Sequence, residues 1–82
     1  MKTVRYSIGA LRDLKRHGNM ADRIRRAVAD YAAETGARSN NVTPLVGSSA
    51  SRLRVGDFRV IFEDGADTII VTRIGPRSDV YD

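Results

Sequence analysis

The 82-residue chain has no cysteine, one histidine, two prolines and no long apolar run. Each scarcity excludes something. Without cysteine there is no disulfide staple, no thiolate metal site and no thiol catalysis. No stretch approaches the roughly 20 consecutive apolar residues of a membrane span, and the first residues lack the apolar segment of a signal peptide. A soluble, cytoplasmic protein with no membrane partner is therefore expected. His17 closes a predicted helix, where a cation suits the negative helix end, so it reads as structural rather than catalytic. No group of His, Asp and Glu has the spacing of metal ligands, and neither a metal nor another cofactor is implied. Lysine is scarce too, since arginine supplies 12 of the 14 basic residues.

What is present fits one small domain over residues 1–82, with a hydrophobic fraction of 41% that suffices for a single modest core. A chain this short buries only roughly 60% of its unfolded surface. The net charge is +4 and the pI is near 10.1, which points to an acidic partner, either nucleic acid or an acidic protein segment. Arginine's planar fork grips phosphate and carboxylate through paired hydrogen bonds that lysine cannot make. A GC-rich genome also favours arginine over lysine, but it does not decide where the arginines fall. Residues 1–41 carry nine basic against four acidic side chains, net +5; residues 42–82 carry five against six, net −1. The excess charge lies on the first half, and the second half holds a local cluster.

That cluster is the stretch Arg52-Leu53-Arg54-Val55-Gly56-Asp57-Phe58-Arg59-Val60-Ile61-Phe62. It reads as two strands joined by a two-residue turn, with Gly56 accepting the positive φ that a primed hairpin requires. Such a hairpin sets Val55 opposite Phe58, Arg54 opposite Arg59, Leu53 opposite Val60 and Arg52 opposite Ile61. Leu53, Val55, Phe58, Val60 and Phe62 then share one face, and Arg52, Arg54 and Arg59 share the other. Like charges opposite one another weaken a hairpin, so the pattern predicts an anion on that face.

The remaining elements follow in order. Residues 2–7 alternate as a first strand with Val4 and Tyr6 inward. Ser7 caps a short helix from about Ile8 to Arg16, with Ile8, Leu11 and Leu14 as its apolar stripe and Gly18 as its C-terminal glycine. Asn19 caps a longer helix whose stripe is Met20, Ile24, Ala27, Val28 and Tyr31, closed by Gly36. Residues 37–51 are rich in Asn, Ser, Gly and Pro and read as a loop anchored by Val42 and Leu45. After the hairpin and a turn through Asp64-Gly65-Ala66-Asp67, the run Thr68 to Ile74 is apolar on both faces, as in a central strand covered on both sides. The expected fold is α+β, with a helix hairpin on one face of a mostly antiparallel sheet and the arginines on the other.

Leu53-Arg54-Val55-Gly56-Asp57-Phe58-Arg59-Val60-Ile61-Phe62 resembles the "LRVGDYRVIY" segment of RelE/ParE-type toxins of bacterial type II toxin–antitoxin systems, and Ile74-Gly75-Pro76-Arg77-Ser78-Asp79-Val80-Tyr81 resembles their closing "IGHR..EVY". The resemblance spans essentially the whole chain. It implies a small βααβββ fold shared with microbial ribonucleases, and an antitoxin partner whose partly disordered segment masks the basic surface. RelE-like members cut mRNA in the ribosomal A site, and ParE-like members poison DNA gyrase. The resemblance thus implies the ribosome and mRNA as partners, with gyrase as the alternative target.

RNA cleavage by the neighbouring 2′-hydroxyl needs a proton acceptor, cations on the phosphorane oxygens and help for the departing 5′-oxygen. By resemblance, Arg59 contacts the scissile phosphate, Arg77 holds phosphate and acts as the acid, and Tyr81 stacks on or orients the nucleotide. Arg52 falls where RelE-like members carry one of two strand lysines; the position of the second is Ala50. With a pKa above ~12, arginine is a poor base, so Arg52 suits charge stabilisation. Two readings stay open for Arg54 and Arg73: contact with RNA, or pairing with acids, Asp57 or Glu63 for Arg54 and Asp57 or Asp79 for Arg73.

Overall fold

The computed structural model describes residues 2–33 and 42–76. Its elements are β1 (Thr3–Tyr6), α1 (Ile8–Arg16), α2 (Gly18–Ala33), β2 (Val42–Pro44), β3 (Ala50–Val55), β4 (Phe58–Asp64) and β5 (Thr68–Pro76). The strands form one sheet in the order β1-β5-β4-β3-β2. Only β1 and β5 run parallel, and the other three pairings are antiparallel. The expected α+β layering holds, with one strand more than the sequence suggested. Val42–Pro44, read as loop, pairs with β3 through Val42 opposite Leu53 and Pro44 opposite Ser51. Proline is tolerated there because β2 is an edge strand.

Ser7 starts α1 as expected: its backbone is extended, and its hydroxyl accepts the Ala10 N–H at 3.0 Å. The helix junction differs from the expectation. Gly18 is the first residue of α2 rather than a terminal glycine of α1, so Asn19 lies inside the helix. His17 makes the break, at φ −114° and ψ 53°, with its N–H donating to the Asp13 carbonyl and its carbonyl accepting the Met20 N–H. This turn needs no left-handed residue, and among the described residues only Gly47 and Gly56 have positive φ. Gly36, the expected end of the second helix, lies outside the described residues.

The stripe on α1 also shifts. Ala10 and Leu14 are buried, while Ile8 is 72% exposed and Leu11 46%. At 3.6 residues per turn each step of three falls about 60° short of a full turn. Ile8 is therefore about 120° away from Leu14, and one face cannot hold both. On α2, Ile24, Val28 and Ala32 are buried at spacing four, with Met20, Ala27 and Tyr31 packed beside them. These meet Leu53, Val55, Val60, Phe62, Ile69, Val71 and Ile74 from the sheet in one core. Each large side chain fully buried there contributes about 1.5–3 kcal/mol.

The hairpin has the expected register at every pair from Arg52 opposite Ile61 to Val55 opposite Phe58. Gly56 makes the turn at φ 59°. β5 is central, lying between β4 and β1, but among the described residues it is covered on one side only. The helices cover one face only, and Ile70 on the other is 41% exposed. A bulge at Thr72 interrupts the pairing of β5 with β4.

Candidate functional site

The face opposite the helices is built by strand alternation, whose phase on β5 is reversed by the bulge at Thr72. Three rows cross it. Nearest the turn, Gly75 of β5, Arg59 of β4 and Arg54 of β3 stand side by side. The next row is Arg73, Ile61, Arg52 and Thr43, from β5 to β2. The third is Arg5, Ile70, Glu63 and Ala50, from β1 to β3. Neighbouring strands lie about 4.8 Å apart and alternate residues along a strand about 6.6 Å apart. The first two rows thus hold Arg52, Arg54, Arg59 and Arg73 within a few side-chain lengths of one another, with no acid among them. Glu63 is the single acid in the three rows, one row away.

Each arginine has a distinct setting. Arg54 is exposed, directly opposite Arg59. Arg59 is half-buried, and its Nη1 donates to the Phe58 carbonyl at 3.4 Å. Opposite it on β5 stands Gly75, so that strand contributes only backbone to the row. Arg52 is half-buried and stands opposite Ile61, which is 9% exposed. Ala50 is two residues from Arg52 on the same face, opposite Glu63. The structure thus places four predicted site residues, Arg52, Arg54, Arg59 and Arg73, on one surface. Arg77 and Tyr81 lie outside the described residues; the described chain ends at Pro76, opposite Phe58.

Arg5 was missed. The inward pattern of Val4 and Tyr6 already directs it to the opposite face, but only the pairing of β1 with β5 shows that this face is the arginine face. His17 is not part of the site. Its ring packs edge-on against Phe58, 5.0 Å between centroids, on the helix side.

The titrating groups with displaced pKa values also lie off the arginine face. Burial pushes the Asp64 carboxyl up, but hydrogen bonds from Lys2 and Tyr31 and the Lys2 charge outweigh it, so Asp64 ionises below its usual range. Tyr31 donates to Asp64 Oδ2 at 2.9 Å. Its phenol is raised first by burial, then by that hydrogen bond and the Asp64 charge. Lys2, Tyr31 and Asp64 thereby tie the start of β1 and the end of α2 to the end of β4. Tyr6 is raised by burial, which the Arg25 guanidinium stacked 5.0 Å over its ring partly offsets. Among the described residues no group of three His, Cys, Asp or Glu is placed to hold a metal ion.

The surface thus carries arginines from β3, β4 and β5 around Ile61. Its relatives agree with the fold. The family of ParE toxins of type II toxin–antitoxin systems matches residues 4–81. No curated protein matches the chain. Among solved structures, the RelB–RelE antitoxin–toxin complex of Methanococcus jannaschii contains a chain that is 26% identical, with a TM-score of 0.74 and 95% of each chain covered. The DinJ–YafQ complex of E. coli superposes with a TM-score of 0.81 at 14% identity, all of both chains being covered. The RelE–RelB complex of Pyrococcus horikoshii gives 0.76 at 21% identity, covering 96% of this chain and 98% of that one. The last two likenesses concern the fold alone. With a family match over nearly its full length and a RelE-like architecture to accompany it, the chain belongs to the RelE/ParE family of toxins of type II toxin–antitoxin systems.

Proposed function

We propose that the protein is a RelE-like endoribonuclease that cuts mRNA on the ribosome and so arrests translation. The observation that carries this reading is the pair of adjacent rows that bring Arg52, Arg54, Arg59 and Arg73 onto one face, with Arg54 directly opposite Arg59. Like charges opposite one another in a hairpin are unfavourable, and a polyanion laid across both strands relieves that cost. In the reaction the 2′-oxygen of the message attacks the adjacent phosphorus and the 5′-oxygen leaves, giving a 2′,3′-cyclic phosphate and a 5′-hydroxyl. Arg59 contacts the scissile phosphate, Arg52 stabilises charge on the phosphorane oxygens, and Arg54 and Arg73 hold the flanking backbone. Arg77 grips phosphate and delivers a proton to the 5′-oxygen, and Tyr81 orients the nucleotide. Because Ala50 offers no base and arginine is a poor one, the 2′-hydroxyl proton passes to Tyr81 or to a group of the ribosome.

The family and the RelB-bound, DinJ-bound relatives support an antitoxin partner. An acidic or amphipathic antitoxin segment lying on the arginine face would associate in a salt-sensitive way. The test is to add pure protein to ribosomes translating a defined message and to map the RNA ends by primer extension. Discrete cuts that need the ribosome support the reading. An intact message at toxic doses removes it, and a parallel supercoiling assay then shows whether gyrase is the target.

A further inference from the structure

At Thr72, β5 carries one residue more than β4: Ile61 faces Arg73, whereas Phe62 faces Val71. In an unbroken strand with Val71 inward, Thr72 would point outward and Arg73 into the core. The extra residue reverses the alternation. Ile74 is thereby buried and Arg73 joins the open face.

A bulge leaves backbone groups without ladder partners, and here side chains take them. The Ile61 carbonyl accepts the Thr72 hydroxyl at 3.2 Å. On the other edge β1 has already ended, its last rung being Ser7 N–H to the Val71 carbonyl at 2.9 Å. Beyond that point α1 replaces the missing strand. The Thr72 carbonyl accepts the Ser7 hydroxyl at 3.2 Å, and the Ile74 N–H donates to Asp13 Oδ2 at 2.9 Å. Asp13 is half-buried among the exposed Arg12, Lys15 and Arg16 of the same helix. A hydrogen bond to a carboxylate is roughly twice as strong as a neutral one.

We infer that Asp13 is a positioning residue for the arginine face. By holding the Ile74 N–H, its carboxylate fixes β5 beyond the bulge, and with it the outward direction of Arg73 and the backbone of Gly75 opposite Arg59. The acid acts from the helix side of the sheet, so it does not compete with phosphate for the guanidinium groups. The inference rests on the endonuclease reading.

Four proteins test it: wild type, Asp13→Ala, Asp13→Asn, and Val28→Ala as a destabilised control in the core of α2. The readouts are amide exchange at Ile74, thermal melting, antitoxin binding, and kcat and KM for cleavage on programmed ribosomes. Asp13→Ala should exchange Ile74 about tenfold faster and lose about ten- to a hundredfold in kcat, because misplacing a catalytic surface by a fraction of an ångström is costly. It should still bind antitoxin. Asp13→Asn keeps an acceptor oxygen and should recover most of the rate. Val28→Ala should melt at least as early as Asp13→Ala yet keep its kcat. The inference is overturned if Asp13→Ala retains the wild-type kcat, if its Ile74 exchange is unchanged, or if Val28→Ala loses as much rate. Folded wild-type protein that leaves the message intact sinks the endonuclease reading and this inference with it. A cutting wild type and an equally active Asp13→Ala sink the inference alone.

Discussion

Replacing Arg54 with threonine should make the protein more stable and less able to hold RNA, two effects of opposite sign from one side chain. Arg54 stands directly opposite Arg59 and is exposed. Two unit charges about 7 Å apart repel by about 0.6 kcal/mol in bulk water, within the ~0.2–1 kcal/mol range of cross-strand pairs. Threonine also suits a strand position. A gain of about 0.5–0.8 kcal/mol should raise the melting temperature of a domain this size by about 2–6 °C. Molar salt shortens the screening length to about 3 Å, so the gain should shrink markedly there. In parallel, the salt dependence of binding to a single-stranded oligonucleotide should weaken by about 0.7 in log–log slope, the signature of one lost phosphate contact. The assays are thermal melts at low and molar salt and a salt titration of oligonucleotide binding. A variant that melts earlier than wild type at low salt, or that binds RNA with an unchanged slope, refutes the view that Arg54 opposite Arg59 is kept for an anion at a cost in stability.

Further outcomes follow from other parts of the fold. Asp64 ionises below its usual range in the folded protein, so its contribution is present above the ordinary carboxylate pKa of ~3.9 and is lost as pH falls through the lower folded value. Asp64→Asn should therefore cost less than about 1 kcal/mol near neutrality, with a smaller penalty in acid, measured by denaturant unfolding across pH. Gly56→Ala should destabilise by about 1 kcal/mol, because φ of 59° is strained for alanine. The added Cβ would meet Arg23 Nη2 only at an ordinary 3.5 Å, so the loss is conformational rather than steric. Phe62→Ala, at a side chain 1% exposed, should cost about 3–5 kcal/mol and remove cooperative melting and antitoxin binding together.

The parts of the fold that obey one local rule were legible in the sequence. Gly56-Asp57 between alternating runs determined the hairpin and its register, and with them which arginines stand together. Ser7 announced the start of α1. Where two rules competed, the reading failed. Leu11 and Ile8 looked apolar enough to face the core, but the helix is turned so that Ala10 and Leu14 are inside. Gly18 looked like a stop, but His17 makes the break. The bulge left no signal, because Thr-Ile-Ile-Val-Thr-Arg-Ile is β-prone in either phase; only the hydrogen bonds of Thr72, Ser7 and Asp13 reveal it. Arg5 needed a long-range pairing, β1 beside β5, that no local pattern encodes.

The most direct test of the central claim is primer extension on a message carried by programmed ribosomes, comparing wild type with Arg59→Ala after both are shown to bind antitoxin. Wild type should give discrete ribosome-dependent cuts, and Arg59→Ala should lose about a hundredfold or more in rate. An uncut message with wild type, or equal cutting by Arg59→Ala, would contradict that claim.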